Sequence, residues 1–192
     1  YVGISAFGQS MKTTALRIYA VLLQKTFELS QDEEFKNWID TLPYKNLWSK
    51  VFVVPGNHDK VFEALTDAER LELEHILGAH CELLIHEEKT FTAVAEDESL
   101  VDYRIFGTPY CKVFGTWSFM RYDSFLRTAF SEIPEGLDFL VTHDPPTLND
   151  LGKITQGRQK GKEAGNEILA ERILEVKPKY VLYLLSSTEC IV

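Results

Sequence analysis

Apolar residues along this chain come in two rhythms. Some fall in short unbroken runs: Ala20-Val21-Leu22-Leu23, Val51-Phe52-Val53-Val54 after Lys50, Leu83-Leu84-Ile85 after Glu82, and Phe139-Leu140-Val141 before Thr142. Runs of this length predict strands buried on both faces. Thr90–Val94, Tyr103–Phe106 and Tyr180–Leu185 read as further strands, several of them separated by polar turns. Elsewhere apolar positions recur at three and four. Phe35, Trp38, Ile39 and Leu42 predict a helix opened by the capping box Ser30/Glu33 and closed by Pro43. Leu71, Leu73, Ile76 and Leu77 predict another, capped by Thr66 with Glu69. Ile168–Val176 predicts a third, stopped by Pro178, and the Lys-, Gly- and Gln-rich stretch from Gly152 to Gly165 reads as a loop. Strands interleaved with helices, with a central run of strands alone, predict an α/β sandwich with mixed sheets.

Charge and composition narrow the function classes. The chain has 192 residues, enough for one domain, and a formal net charge of -9, which repels a phosphate backbone. Nucleic-acid binding is therefore not expected, and no apolar run reaches membrane-spanning length. Cys81, Cys111 and Cys190 are scattered and odd in number, which predicts free thiols and a cytoplasmic setting. The chain begins at Tyr1 without a Met, so it reads as a fragment or a processed chain.

Two strand ends carry chemistry. Val51–Val54 runs into Pro55-Gly56-Asn57-His58-Asp59. Gly56 lets the backbone turn sharply, Asn57 offers a hard amide oxygen, and His58 offers an imidazole for metal or proton. Asp59 is expected to hold that imidazole in one tautomer. Phe139–Thr142 likewise ends in His143-Asp144-Pro145-Pro146, where two prolines stiffen the turn and Asp144 is placed to orient His143. Isolated, each is an ordinary turn. Together they are what a metal centre requires, because donors must converge from several strands. Asn57, His58 and His143 are thus expected side by side at the carboxyl ends of neighbouring strands.

Gly56-Asn57-His58-Asp59 and Thr142-His143-Asp144-Pro145-Pro146 resemble signatures of the calcineurin-like metallophosphoesterases. Ile105–Tyr110, Phe114–Phe119, Ile133–Gly136 and Lys177–Tyr180 resemble the branch of metallophosphoesterase-domain proteins. The resemblance implies one domain over residues 1–192, folded as a four-layer αββα sandwich of two mixed sheets flanked by helices. It implies a phosphoester hydrolase with two divalent ions (manganese, iron or zinc), Asn57 and His143 as metal ligands, and His58 with Asp59 as the catalytic pair at the leaving oxygen. Departures from the pattern are as informative. The family's Asp-x-His would fall within Ile4–Gln9, its bridging Gly-Asp within Ala20–Phe27, and its closing Gly-His-x-His at Leu184–Ser187. None of these stretches holds an Asp or a His, so the domain is expected to be incomplete at its active-site segments.

Lesser motifs change little. Gly3–Ser10 nearly matches a phosphate-binding loop, but Gln9 stands where the lysine belongs. His75 and His80 before Cys81 read as helix-terminal or surface histidines, and Trp117 with Phe114 and Phe119 is expected to wall a pocket above the site. Two function classes remain. One is a metallophosphoesterase-family hydrolase with an incomplete two-metal site and weak or no activity on its phosphoester substrate. The other is a catalytically silent phosphoesterase fold acting as a protein-interaction module, with a protein partner or self-association through an open carboxyl-terminal strand edge.

Overall fold

The computed structural model describes residues 50–78, 81–94, 98–154, 158 and 160–183, positions 37 and 40, and the backbone of 2–4 and 18–22. The strands are β1 (Val2–Ile4), β2 (Ile18–Leu22), β3 (Lys50–Val54), β4 (Cys81–Leu83), β5 (Glu87–Val94), β6 (Leu100–Thr108), β7 (Cys111–Lys112), β8 (Met120–Arg121), β9 (Phe139–Thr142) and β10 (Tyr180–Tyr183). The helices are α1 (Lys60–Ala64), α2 (Asp67–Leu77), α3 (Asp123–Ser131) and α4 (Glu167–Val176). No helix among the described residues is long and apolar enough to cross a membrane.

Two four-stranded mixed sheets form the centre. In the first, ordered β1-β2-β3-β4, β1 is antiparallel to β2 and the others run parallel. In the second, ordered β10-β9-β6-β5, β10, β9 and β6 run parallel and β5 is antiparallel. The unbroken apolar run in β3 follows from burial on both faces. Val51 and Val53 pack against Phe62, Leu73 and Leu77 of α1 and α2. Phe52 and Val54 point the other way, onto Ile105, Phe139 and Val141 of the second sheet. Leu140, on the far face of β9, meets Leu126 and Phe130 of α3 and Leu169 and Ile173 of α4. Three apolar seams therefore separate four layers in the order helix, sheet, sheet, helix.

The predicted fold class holds, and the local differences have clear causes. β5 and β6 are longer than predicted because an antiparallel register from Glu87↔Gly107 to Val94↔Leu100 carries polar positions along with it, Arg104 pairing with Glu88 at 2.6 Å. α3 was not predicted, although Leu126, Ala129 and Phe130 repeat at helical spacing and are buried. The Thr66/Glu69 capping box forms as predicted, and α4 ends on a left-handed Lys177 just before Pro178. Positions 37 and 40 are helical; the remainder of the predicted helix near them, most of the Gly3–Ser10 motif, His80, Cys190 and the segment from Leu184 lie outside the described residues.

At the carboxyl ends of β3 and β6 the two sheets approach very closely. A Cβ added at Gly107 would meet the Leu84 Cβ at 2.4 Å and a Val54 methyl at 3.0 Å, so only glycine fits between them. This contact brings the end of β3 toward the end of β9.

Candidate functional site

The turn after β3 is built by Asp59. Its Oδ2 accepts the Gly56 N–H at 2.7 Å, and its own N–H donates to the Gly56 carbonyl at 3.0 Å. The carboxylate is fully buried and its Oδ1 meets no hydrogen-bond partner. Burial pushes the Asp59 carboxyl up to about 7, partly opposed by the Gly56 N–H. Asp59 therefore clamps the turn and faces Gly56, not His58, which corrects the expectation that it fixes the His58 tautomer.

Asp144 is also placed differently from the expectation. Its Oδ2 accepts from the Lys112 N–H at 3.0 Å and from the Asn166 amide at 2.9 Å, tying β7 to the N-cap residue of α4. Asn166 in turn caps that helix through the Leu169 N–H. Burial raises the Asp144 carboxyl to about 6 against those donors. The residue that positions His143 is Thr108, whose carbonyl accepts the His143 N–H at 3.0 Å.

Asn57 and His143 meet across the two sheets. His143 Nε2 lies 3.2 Å from the Asn57 backbone nitrogen and 3.1 Å from Asn57 Oδ1. Both residues are buried, and His143 Nδ1 has no hydrogen-bond partner. Burial, helped by the charge of nearby His58, holds the His143 imidazole down at about 4, so it is neutral at physiological pH. Neither neutral tautomer satisfies every group. With the proton on Nδ1, Nε2 accepts from Asn57 N–H, but the buried Nδ1–H has no acceptor and Oδ1 faces a lone pair. With the proton on Nε2, Oδ1 is satisfied and the Asn57 N–H is not. The expected trio is therefore close together, but its strands belong to two facing sheets and are not neighbours in one.

His58 is the exposed member, its ring 5.6 Å from that of Trp117. The segment between β7 and β8 is pinned to the site turn by the Ser118 N–H, which donates to the Asn57 carbonyl at 3.0 Å. Trp117 lies on Gly115 and touches Phe114 at 5.3 Å. Beside it runs a groove of about 260 Å³ lined by Lys60, Glu63, Ala64, Thr116, Trp117 and Ser118. Phe119 does not wall this groove as expected. It turns inward at a positive φ and packs with α1 and α2. His75 is exposed in the last turn of α2, as predicted. Burial pushes the neighbouring Cys81 thiol up to about 12, which leaves it unreactive.

Sequence reasoning passed over His86. Its Nδ1 lies 3.0 Å from Thr108 Oγ1, and its ring packs on Phe106 and Tyr110. No strand run or turn signature marks it; only the register of β5 on β6 brings it to the rim.

The described residues supply part of what a metal site needs. Asn57 Oδ1 and His143 Nε2 stand 3.1 Å apart, close to the spacing of about 3 Å between adjacent donors on an ion with bonds near 2.1 Å. Among the described residues, however, no group of three or more His, Cys, Asp or Glu side chains converges. Among the described residues these two donors form one edge of a coordination shell.

Comparison with known proteins gives distant similarities, and no family model matches the chain. Metallophosphoesterase domain-containing protein 1 of Homo sapiens is 27% identical over 127 residues, which is 61% of this chain and 38% of that protein. The probable rhamnogalacturonate lyase C of Emericella nidulans is 26% identical over 152 residues, 77% of this chain and 12% of the other. DISARM protein DrmA of Bacillus paralicheniformis is 55% identical over 47 residues, 24% of this chain and 4% of the other. The chain thus spans well under half the length of the curated relatives it matches. A solved crystal structure overlays on 80% of this chain and 58% of its own with a TM-score of 0.48 and 16% identity.

Proposed function

We propose that this chain is a phosphoesterase-type αββα fold whose rim site keeps the Asn57–His143 half of a metal centre and hydrolyses phosphoesters weakly or not at all. The carrying observation is the 3.1 Å approach of Asn57 Oδ1 to a neutral, buried His143 Nε2 between the two sheets. Distant similarity to metallophosphoesterase domain-containing protein 1 supports the same lineage. In a two-metal hydrolase the ions activate water and compensate the phosphate charge. Here the chain's own residues supply less. Asn57 and His143 present two neutral donors, Asp59 holds the turn that carries Asn57, and exposed His58 is the group able to give a proton to a leaving oxygen at the rim. The 192 residues hold no Asp before Asp32 and no His beyond His143, so the Asp and His ligands that the family pattern expects in those stretches are not there to hold two ions.

Calorimetric titration with Mn²⁺, paired with an aryl-phosphate assay in the same metal, tests this reading. Absence of tight binding, with turnover no higher than in His143→Ala, is the expected result. Tight binding of two ions with turnover abolished by His143→Ala overturns it. A second reading, a silent fold used for protein interaction, is favoured by exposed Phe114 and Trp117 directly beside the site.

A further inference from the structure

Among the described residues, Val113, Phe114, Trp117, Tyr122 and Phe125 are large hydrophobic side chains between 42% and 76% exposed, all lying in one stretch that includes β8. They form one ridge. Phe114 touches Trp117, Trp117 lines the groove with Glu63, Glu63 pairs with Arg121 at 2.8 Å, and Arg121 stacks over Phe125. The exposed part of the four aromatics comes to roughly 450 Å², taking 150–250 Å² for a whole aromatic side chain. Patches of this size on a folded chain are often functional.

Two features point to what covers it. The first is charge. The chain carries -9, yet at the ridge Arg121 pairs with Glu63 and Lys112 with Glu167, while Lys60 at the groove and Asp123 beside Tyr122 carry opposite charges, so the charged side chains named here balance. A second copy can approach this face without the repulsion that an acidic surface imposes elsewhere. The second is shape. A projecting Phe114, 56% exposed, stands next to a groove of about 260 Å³, so knob and hole lie on one patch. That self-complementarity is what a two-fold interface requires, since each copy supplies both halves.

We infer that the ridge is a self-association surface, on which a second copy docks about a two-fold axis with each Phe114 entering the groove beside the other copy's Trp117. The inference gives the protein-interaction reading its partner and rests on that reading; the metal titration above is unaffected by its failure. Because Trp117 touches His58 and Ser118 holds the Asn57 carbonyl, the docked copy lies over the open side of the rim site. The ridge supplies roughly half of the ~800 Å² per partner that a standard interface buries, so association is weak and concentration-dependent.

Sedimentation velocity from micromolar to near-millimolar protein, with hydrogen exchange at both ends of the range, tests the inference. The expected result is a reversible monomer–dimer equilibrium with protection gained at residues 113–118. Phe114→Ser and Trp117→Ser should each raise the dissociation constant about tenfold or more, the loss of an interface anchor. A chain that stays monomeric throughout overturns the inference. So does a dimer whose added protection falls on residues 180–183, the β10 edge, and not on the ridge. The exchange readout needs no variant, so it decides even where a substitution impairs folding.

Discussion

Replacing Gly107 by Ala tests how the sheets are brought together and what that approach does for the site. The added Cβ would stand 2.4 Å from the Leu84 Cβ, 2.8 Å from its Cδ1 and 3.0 Å from a Val54 methyl. The Leu84 Cβ cannot rotate away, because Leu84 is fully buried and its N–H is held by the Val53 carbonyl at 2.8 Å. Relief requires the sheets to part by about 1 Å to restore an ordinary contact, and overpacking of this kind costs about 2–3 kcal/mol. For a chain of this size that lowers Tm by about 4–12 °C. Urea unfolding of both proteins, compared at equal m value, measures the loss. The separation also stretches the Asn57–His143 contact, so the His143 ring, followed by NMR, should titrate nearer its ordinary value than the wild-type value of about 4. Gly78→Ala is the control for the site: Gly78 has φ +73 and ψ -177, a backbone region essentially confined to glycine, with nothing within 4 Å, so a local backbone cost of about 1–3 kcal/mol is expected while His143 is unmoved. Stability of Gly107→Ala within about 0.5 kcal/mol of wild type, with His143 unchanged, would refute the claim that this glycine sets the sheet spacing.

Two further outcomes follow from one buried and one half-buried polar group. Asp59 holds its proton up to about 7 in the folded chain and gives it up near 3.8 when unfolded, so its stabilising contribution is complete below about 3.8 and lost as pH rises through 7. Between about pH 6 and pH 8 wild type should lose about 1.4 kcal/mol relative to Asp59→Asn, and parallel stability profiles for the two proteins would contradict this. Arg172 donates from Nε and Nη2 to the Ile133 carbonyl at 3.1 and 2.6 Å, joining α4 to the turn after α3. Arg172→Ala should cost about 1–2 kcal/mol by chemical denaturation, with Arg172→Lys restoring only part of it because an ammonium cannot reproduce the paired donation.

What the sequence determined by itself was whatever local patterning decides. The unbroken runs at Val51–Val54 and Phe139–Val141 required strands covered on both faces, and the two-sheet sandwich is the arrangement that covers them. The Thr66/Glu69 box and Pro178 marked helix ends because capping is a matter of adjacent residues. Asn57, His58 and His143 were legible as a group because each closes or follows an apolar strand. Tertiary structure decided the rest. Asp59 and Asp144 sit beside histidines in sequence, yet they bond to Gly56, Lys112 and Asn166, because a buried carboxylate goes to the backbone and amide donors that the fold presents, not to its neighbour in the chain. Asn57 meets His143 at 3.1 Å where the sheets close over Gly107, a residue with no chemistry of its own, and the distance between two sheets is set by the side chains between them. In sequence Phe114, Trp117 and Phe119 read alike, as walls of one pocket above the site. Only the packing of Phe119 inward and of Phe114 and Trp117 outward distinguishes buried from exposed, because an aromatic in an irregular segment carries no periodicity to say which way it points.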